Sequence, residues 1–572
     1  MCFLHLQQSC NLTLLLNMNK LLLTLLTPLL LASALYAQTP TDLPGIAADK
    51  LTRPANWQLA GAVSATPDQP KLTSKPGNAL VIGQPGEAIP LLTTSSDFSL
   101  RFEMMLPAGA TAQLILPAGQ PIALNTPELT RLMKAPGLWQ TIEIAYKSAS
   151  ATQAAGLAKL VINGVTVREG QTLPGKQSAG NLTQIGVTAG SVAIRNVAGR
   201  MMNSRNIAQW SGPVSYTIFK GDMWKREDIT PKAEVLKTGT TDALNYEVAY
   251  GLGQRYTILY AGKLNLTEPG ECLFALNYGG VTDLRIDGKE VISATFRDLG
   301  YPTSGRTTLS VGSHTAEVLF ARTWPRPGLG LFVSLPDTRP QPLHTLASLP
   351  EPDPVGAISV EPNAAPVLLR SFIQLPGEKT KRTHSLSVGT PAGVHFSYDL
   401  NQMALLQTWK GDFADMTEMW YERGEPQLIH TLGATVMLPA QPALAQLADE
   451  QTAWPDSLTD NVLQYRGLTV DKSNLPVIAY TLAGATVTDA IRPATTGLTR
   501  TLTVTGTPAG MLFCRVAASS QIEDMGKGLY NIGDGQYYVR LDPRLKPRLR
   551  AVGGRQELVV PMKGAVSYEV IF

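Results

Sequence analysis

The fold is decided by the stretch Tyr250-Gly-Leu-Gly-Gln-Arg-Tyr-Thr-Ile-Leu-Tyr-Ala-Gly-Lys-Leu264 and its continuation Leu284-Arg-Ile-Asp-Gly-Lys-Glu-Val291. In the second piece, Asp287-Gly288 supplies the two central residues of a type I′ turn, which requires φ > 0 at both positions. Counting back from this turn predicts three cross-strand pairs: Ile286 with Lys289, Arg285 with Glu290, and Leu284 with Val291. One face of the hairpin would carry an ion pair and the other an apolar pair, which is typical of an extracellular β module.

Length and composition point to several β domains. A chain of 572 residues is too long for one hydrophobic core, so three or four domains are expected. Apolar residues make up 44% and charged residues only 16%, which excludes a disordered chain. The 50 glycines and 41 prolines favour short strands joined by turns. A net charge of +3 gives no strong attraction to nucleic acid, so no nucleic-acid partner is predicted.

Residues 1–37 are predicted to be a secretory signal. An apolar run from Leu21 to Ala37 follows Asn19-Lys20 and ends in small residues, and Met18 fits the start of such a segment. The alternative is a membrane anchor, for which the run is short. We therefore expect a secreted, periplasmic or cell-surface protein with no membrane span after signal cleavage.

Cysteine usage agrees with this interpretation. Removal of the signal would leave only Cys272 and Cys514, which lie in different predicted domains, so buried thiols are expected rather than a disulfide. The chain has no Cys-x-x-Cys-His sequence, so no covalently attached haem is predicted.

The first unit, residues 48–205, reads as short alternating strands, with Phe98, Leu100, Phe102 and Met104 on one face and a hairpin turn at Asn163-Gly164. These strands, with the closing strand Ser191-Val-Ala-Ile-Arg-Asn-Val, predict a β-sandwich. Their order resembles the concanavalin-like sandwiches named for 3-keto-disaccharide hydrolases.

That resemblance implies sugar binding or glycoside hydrolysis. Hydrolysis usually needs two positioned carboxylates, and the only candidates in matching strands are Glu103 and Glu143, with Glu128 alone between them. The family's Asn-Ser-Gly stretch is missing after Met105. Whether the chain is an enzyme is left open, with the balance against catalysis.

The second unit, residues 210–335, holds the opening stretch and resembles a PA14 domain. The resemblance is carried by the Gly-x-Gly-x-x-Tyr-Thr pattern from Gly251, the strand after Gly270, the Asp287-Gly288 turn, and Gly312-Ser-His314. It implies a β-sandwich barrel. In sugar-binding members of the family, two adjacent aspartates hold calcium beside the ligand. Here Asn277-Tyr278 stands in their place, so no cofactor is predicted and calcium is left as a possibility, with Asp283 nearby.

Residues 336–366 are predicted to be a proline-rich linker. The third unit, residues 367–572, resembles an uncharacterised domain of large secreted bacterial proteins, found beside cytochrome c modules or sugar dehydrogenase-like propellers. The resemblance is carried by one set of residues: Asp399, Asn401, Trp409, Gly411, Phe413, Asp415, Trp420, Arg423 and Gly424. Any haem partner would be a separate chain.

Aromatic residues of the third unit recur at helical spacing: Trp409, Phe413, Met416 and Trp420. One interpretation is a sugar-stacking surface with acidic neighbours such as Asp415. The alternative is an amphipathic segment whose aromatics enter the core. Three histidines, at 384, 395 and 430, match no metal-binding spacing, so no metal site is predicted. The basic run from Arg540 to Arg555 is interpreted as a solvated hairpin, with an anionic polysaccharide or lipid as the alternative.

Together these features predict an all-β protein of three consecutive β-sandwich or jelly-roll domains. The predicted function is a secreted, non-catalytic carbohydrate-binding accessory protein. The alternatives are a hydrolase of 3-keto-disaccharides and a structural component of a cell-surface assembly. The predicted partners are an extracellular glycan and other cell-envelope proteins. The candidate ligand-binding residues are Asn277, Asp283, Trp324, Trp409, Asp415 and Trp420.

Overall fold

A computed structural model describes residues 43–149, 154–174, 181–203, 205–253, 255–322, 327–350, 356–421, 427–449 and 451–572. The predicted signal segment therefore lies outside the described residues, as do Trp324, Arg423 and Gly424. The described chain is almost entirely antiparallel β-sheet, which confirms the predicted fold class.

The first unit is a two-sheet sandwich. Its strands are β1 (Trp57–Ser64), β2 (Thr73–Gly83), β3 (Ile89–Thr93), β4 (Asp97–Met105), β5 (Thr111–Ile115), β6 (Ile122–Ala123), β7 (Trp139–Lys147), β8 (Gly156–Ile162), β9 (Val165–Thr172), β10 (Leu182–Ala189) and β11 (Val192–Met202). A short helix, α1 (Pro127–Thr130), and a 3₁₀ turn (Ala48–Lys50) complete it. One sheet has the order β1-β2-β11-β4-β7-β8-β9 and the other β3-β10-β5-β6.

Local patterns in this unit behave as predicted. The alternating side chains from Phe98 to Met104 are at most 1% exposed and lie in the core between the sheets. Asn163 and Gly164 have φ of 50° and 85°, and Ile162 pairs with Val165 across the turn. These φ values confirm the type of hairpin that the Asn-Gly sequence requires.

The second unit has ten strands. They are β12 (Ala208–Trp210), β13 (Val214–Lys220), β14 (Val235–Thr241), β15 (Tyr256–Leu266), β16 (Gly270–Ile286), β17 (Lys289–Arg297), β18 (Thr303–Leu309), β19 (Gly312–Arg322), β20 (Gly328–Ser334) and β21 (Gln341–Pro342). The 3₁₀ turns of this region are Arg226–Asp228, Tyr246–Ala249 and Leu346–Ser348.

Strand β16 organises the second unit because it belongs to both of its layers. Its first half pairs with β18 and β20, and its second half with β17 and β19. The halves meet at Gly280, where φ is 137° and a Cβ atom would lie 2.3 Å from the carbonyl oxygen of Ala321. Only glycine fits this close backbone approach.

The Asp287-Gly288 hairpin has the predicted turn, with φ of 51° and 75°. Ile286 pairs with Lys289 and Arg285 with Glu290, as predicted. The third predicted pair is wrong, because Leu284 faces Ile292 instead of Val291 across an irregularity in the ladder. Such a bulge adds one residue to one strand and shifts the register beyond it.

The third region begins inside the predicted linker. Its first six strands are β22 (Ser359–Val360), β23 (Val367–Ile373), β24 (Arg382–Gly389), β25 (Val394–Asp399), β26 (Ala404–Asp415) and β27 (His430–Met437). They form one sheet, in which β22 and β27 both pair with β26. A helix of four residues, α2 (Thr417–Trp420), follows β26.

Two further sheets complete the third unit. Their strands are β28 (Leu444–Gln446), β29 (Leu463–Val470), β30 (Pro476–Leu482), β31 (Ala485–Ala494), β32 (Gly497–Thr505), β33 (Leu512–Ser519), β34 (Ile522–Gly526), β35 (Leu529–Ile532), β36 (Tyr537–Leu541), β37 (Arg548–Val552), β38 (Arg555–Pro561) and β39 (Ala565–Ile571). A 3₁₀ turn, Pro543–Leu545, precedes β37. One hydrophobic core joins all three sheets of this unit.

The basic run falls mainly on the β37–β38 hairpin and the turn before it. Arg550 is buried against Glu557, and Arg540 contacts Asp68 of the first unit. The predicted hairpin is present, but it is not fully solvated because Arg550 is buried. Three arginines of the run lie against carboxylates: Arg540, Arg544 and Arg550.

Candidate functional site: an exposed aromatic pair on the second unit

One row of side chains crosses the outer face of the second unit's larger sheet. Register places these residues side by side on β13, β15, β19, β16 and β17: Phe219, Thr257, Ala321, Val281 and Phe296. Val281 and Ala321 are buried in a small apolar cluster that is separate from the main core of the unit. Something therefore covers the middle of this face, while Phe296 at the end of the row is 38% exposed.

The cover is the segment of residues 221–234, here called the cover segment. It is fixed to the row by Thr257, whose hydroxyl donates to the carbonyl oxygen of Gly221 at 2.8 Å and accepts from the backbone N–H of Met223 at 2.8 Å. Both hydrogen bonds of Thr257 go to backbone groups of the cover segment. They fix the position of the next residue, Trp224, over the sheet.

Trp224 lies against Phe296. The ring centroids are 6.3 Å apart and the planes are 15° from parallel, which is an offset stack. Trp224 remains 49% exposed. Two stacked rings therefore present apolar surface to water, one from strand β17 and one from the cover segment.

An ion pair anchors the middle of the cover segment. The Arg226 guanidinium donates to both oxygens of Asp283, at 2.7 and 2.8 Å, and to Glu317 at 2.7 Å. The Asp283 side chain is 3% exposed and also accepts the backbone N–H of Leu319. A bidentate pair of this kind fixes orientation as well as distance, so the segment that carries Trp224 is held on two sides.

Polar groups surround the exposed rings. Arg255 immediately precedes β15, its side chain is 75% exposed, and its guanidinium lies 3.9 Å from the carboxylate of Asp222. Lys225 is exposed beside Trp224. A flat apolar surface rimmed by hydrogen-bonding groups can stack on the apolar face of a sugar ring while the rim bonds to its hydroxyls.

The predicted ligand-binding residues Asn277 and Asp283 of the second unit make structural hydrogen bonds instead. Both carboxylate oxygens of Asp283 accept hydrogen bonds from Arg226, and the side chain is too buried to reach a ligand. Asn277 accepts the backbone N–H of Gly300 at 2.9 Å, which fixes the loop between β17 and β18. Trp324 lies outside the described residues. Among the described residues, no group of three or more His, Cys, Asp or Glu side chains could hold a metal ion.

In the third unit the structure supports the second interpretation for Trp409 and Phe413, whose rings enter the core, and it rules out Trp409 as a ligand-binding residue. Trp409 is fully buried and stacks on Phe413 with centroids 5.7 Å apart. The predicted helical face is wrong, because both rings belong to strand β26 and only Thr417–Trp420 is helical. Residues four apart lie on the same face of a strand, so both rings enter the same core, and the ladder with β27 is irregular between Asp412 and Ala414.

Two candidates lie near the end of that strand. Asp415 accepts the backbone N–H and the hydroxyl of Thr417, so its carboxylate serves the short helix. Trp420 is 49% exposed and remains available to a ligand. The third unit therefore keeps one of its three candidate residues at the surface.

The two catalytic candidates lie on one sheet but are separately paired. Glu103 accepts from Arg195 at 2.7 Å, and Glu143 lies 3.7 Å from Arg101. In the register of the sheet, Arg101 faces Glu143 and Glu103 faces Thr141, so the carboxylates are diagonal neighbours, each beside its own arginine. The arrangement is that of cross-strand ion pairs.

Sequence reasoning missed both members of the aromatic pair. Trp224 follows Gly221-Asp-Met in a turn-rich stretch, and Phe296 ends a strand, so neither lies in a periodic pattern. The available signal was a tryptophan in a polar loop, since such a residue is often placed at the surface for contact.

Cys272 and Cys514, the cysteines among the described residues, are free and buried. Burial raises the pKa of the Cys272 thiol to about 11 and that of the Cys514 thiol to about 12. Both thiols are therefore protonated and unreactive at neutral pH. None of the helices in the described part of the chain has the length and apolar character needed to cross a bilayer.

Comparison with known proteins leaves the family open. No family model matches this sequence, and no curated protein matches it. Solved structures with a similar arrangement include a β-glucosidase from Kluyveromyces marxianus in complex with glucose, with 12% identity over 22% of this chain and 17% of that one, at a TM-score of 0.19. This chain thus spans less than a fifth of the β-glucosidase.

Two smaller domains are also similar. The PA14 domain of the MpAFP antifreeze protein is 11% identical over 25% of this chain and 91% of its own, at a TM-score of 0.20. The A domain of epithelial adhesin 9 from Candida glabrata, in complex with Galβ1-4GlcNAc, is 8% identical over 24% of this chain and 88% of its own, at 0.19. TM-scores this low carry no argument about function, so the interpretation of the site depends on its own geometry.

Proposed function

We propose that this chain is an exported, multidomain protein that binds extracellular carbohydrate through Trp224 and Phe296 and does not itself catalyse a reaction. The observation that carries the proposal is the stacked, half-exposed pair of rings held by the cover segment. Aromatic side chains that are already ordered lose little conformational entropy on binding, so more of the contact energy appears as affinity. The exposed rim, including Arg255, supplies donors for sugar hydroxyls.

The hydrolase alternative is less well supported. Glycosidases of the usual kind need one carboxylic acid and one carboxylate aimed at the same bond. Glu103 and Glu143 are each beside an arginine, and Arg195 links Glu103 to Asp534 of the third unit. Release of free sugar from 3-keto-glucosides would revive this alternative.

The test is a glycan array followed by affinity measurement. The protein is screened without residues 1–37, and the best glycan is titrated against the parent chain and Trp224→Ala. Stacking of one sugar ring on the pair predicts at least tenfold weaker binding in the variant, which corresponds to about 1.4 kcal/mol. Trp420→Ala is the matched control, since its tryptophan is equally exposed but lies on another unit.

Each outcome has a defined meaning. Weakening in Trp224→Ala with unchanged affinity in Trp420→Ala supports the proposal. A blank array contradicts carbohydrate binding. Unchanged affinity in Trp224→Ala places the sugar elsewhere, and loss only in Trp420→Ala moves the site to the third unit. Capture of a cell-envelope protein that depends on Trp224, without glycan binding, would favour the structural-assembly alternative.

A further inference from the structure

The outer face of the first unit's seven-stranded sheet is covered by the third unit. Its side chains form a small apolar cluster: Ala60, Val63, Ala65, Leu80, Ile82, Met105, Trp139 and Ala193. All are less than 10% exposed. The cover is made by the turn between β35 and β36, residues 533–536, and by β36 itself.

Close backbone contacts define this joint. The N–H of Trp139 donates to the carbonyl oxygen of Gly535 at 3.2 Å. Gly535 has a φ of 80°, and a Cβ atom there would lie 2.9 Å from Cδ1 of Trp139, so the turn lies directly against the indole edge. The Tyr538 hydroxyl donates to the carbonyl oxygen of Ala65 at 2.9 Å. Such complementarity is typical of a permanent interface rather than a chance contact.

Charges complete the joint. The Arg195 guanidinium lies 4.0 Å above the Trp139 ring, donates to Glu103 at 2.7 Å, and pairs with Asp534 of the third unit. The same arginine therefore stacks on the aromatic ring of its own unit and neutralises a carboxylate from each side. The candidate catalytic residue Glu103 is part of this joint.

A loop of the first unit also enters the third unit's core. Ala135 and Leu138, which lie between α1 and β7, are 5% and 0% exposed and belong to the hydrophobic cluster of the third unit. At the edge of this loop, Arg131 donates to Asp412 at 2.5 Å. Without the loop, the third unit would lose part of its own core, which is a property of obligate partners.

We infer that the first and third units form one obligate body, in which the outer face of the first sandwich is an assembly surface for the third unit. This inference is independent of the aromatic pair on the second unit. It assigns Trp139, Arg195 and Glu103 to intramolecular assembly, and it identifies the partner of this face as the 533–538 segment of the same chain. The two units therefore lose their structure together.

The test uses the full chain and hydrogen–deuterium exchange read by mass spectrometry. Leu100→Ala changes only the core of the first unit, yet it should lower the protection of the slowest amides of β35 and β36 in the third unit. A buried Leu→Ala substitution predicts a fall of about thirtyfold or more. The matched control is Leu284→Ala in the second unit, also fully buried, which should leave β35 and β36 protected.

A milder variant covers the case in which Leu100→Ala fails to fold. Tyr538→Phe removes one hydrogen bond across the joint and should lower protection about fivefold in both β36 and β7. Unchanged protection in the third unit when the first is destabilised would overturn the inference. A gain of glycan binding in Asp534→Lys would also overturn the inference, because the outer face of the first sandwich would then be a ligand site that the third unit covers. Neither readout depends on Trp224, so the proposed function stands or fails separately.

Discussion

At the scale of single residues, a carboxylate can either bind a ligand or hold another segment of the chain in place. Burial of the carboxylate decides which of the two it does. Asp283 was a reasonable ligand candidate from its place in the sequence, but Arg226 and the backbone of Leu319 occupy its oxygens. The arginine comes from a segment far away in the chain, so the local sequence of β16 gave no sign of it. Buried polar groups are matched by tertiary partners, which a single sequence does not display.

Substitution of the anchor should therefore loosen the site. Asp283→Asn leaves the Arg226 charge mostly buried without its main partner, which predicts a loss of about 3 kcal/mol in the free energy of unfolding of the second unit. It also predicts weaker glycan binding, because Trp224 is no longer fixed. Urea unfolding and amide exchange over residues 221–234 measure both effects. Glu317→Gln is the control, since Glu317 is 44% exposed and should cost less than about 1 kcal/mol.

At the scale of elements, turn chemistry was predictable and packing was not. The Asn163-Gly164 and Asp287-Gly288 hairpins follow from φ preferences of two residues, so both were found from the sequence. The register beyond Arg285 and the strand conformation of Trp409 to Phe413 were not, because bulges there depend on neighbouring strands. The spacing of four between Trp409 and Phe413 fits one face of a helix and one face of a strand, so it could not distinguish the two.

The Asp287-Gly288 hairpin also predicts a pH dependence. His314 Nδ1 lies 2.6 Å from Asp287 Oδ2, and its Nε2 lies 2.9 Å from the carbonyl oxygen of Ser310. The hydrogen bond with Asp287 raises the pKa of His314 and lowers the pKa of Asp287. The raised histidine pKa means that its contribution is complete below about pH 6.5 and is lost as pH rises through the folded value.

The aspartate acts in the opposite direction. Its lowered pKa means that its contribution is present above about pH 4 and is lost as pH falls through the folded value. The hairpin should thus be most stable between about pH 4 and 6.5, by less than about 1 kcal/mol because the pair is partly exposed. Unfolding free energies of the parent and His314→Gln at pH 5.5 and 8 measure this. A difference that does not shrink at pH 8 would contradict the assignment.

At the scale of the whole molecule, the three β units are not equivalent. The second unit carries the exposed aromatic pair, whereas the first and third units share a buried joint. The second unit touches the first through polar contacts, such as Arg339 with Asp97 at 2.6 Å. The all-β class followed from composition and alternation, but the joint did not, because its residues lie at opposite ends of the chain.

The two cysteines allow these units to be followed separately. Once residues 1–37 are removed, Cys272 in the core of the second unit and Cys514 in the core of the third are the only thiols. Because both are buried and protonated, a thiol reagent should label them only when their unit opens. Labelling in increasing denaturant, read by mass spectrometry, then gives one opening free energy for each unit.

A core substitution in the first unit should act on the distant thiol and not on the nearer one in sequence. Leu100→Ala should accelerate labelling of Cys514 by about thirtyfold or more, since a buried leucine contributes at least about 2 kcal/mol and the joint transmits the loss. Labelling of Cys272 should stay within about twofold, because the hydrophobic core around Cys272, as described, includes no residue of the first unit. Acceleration of Cys272 alone would mean that the first unit is coupled to the second unit instead of the third.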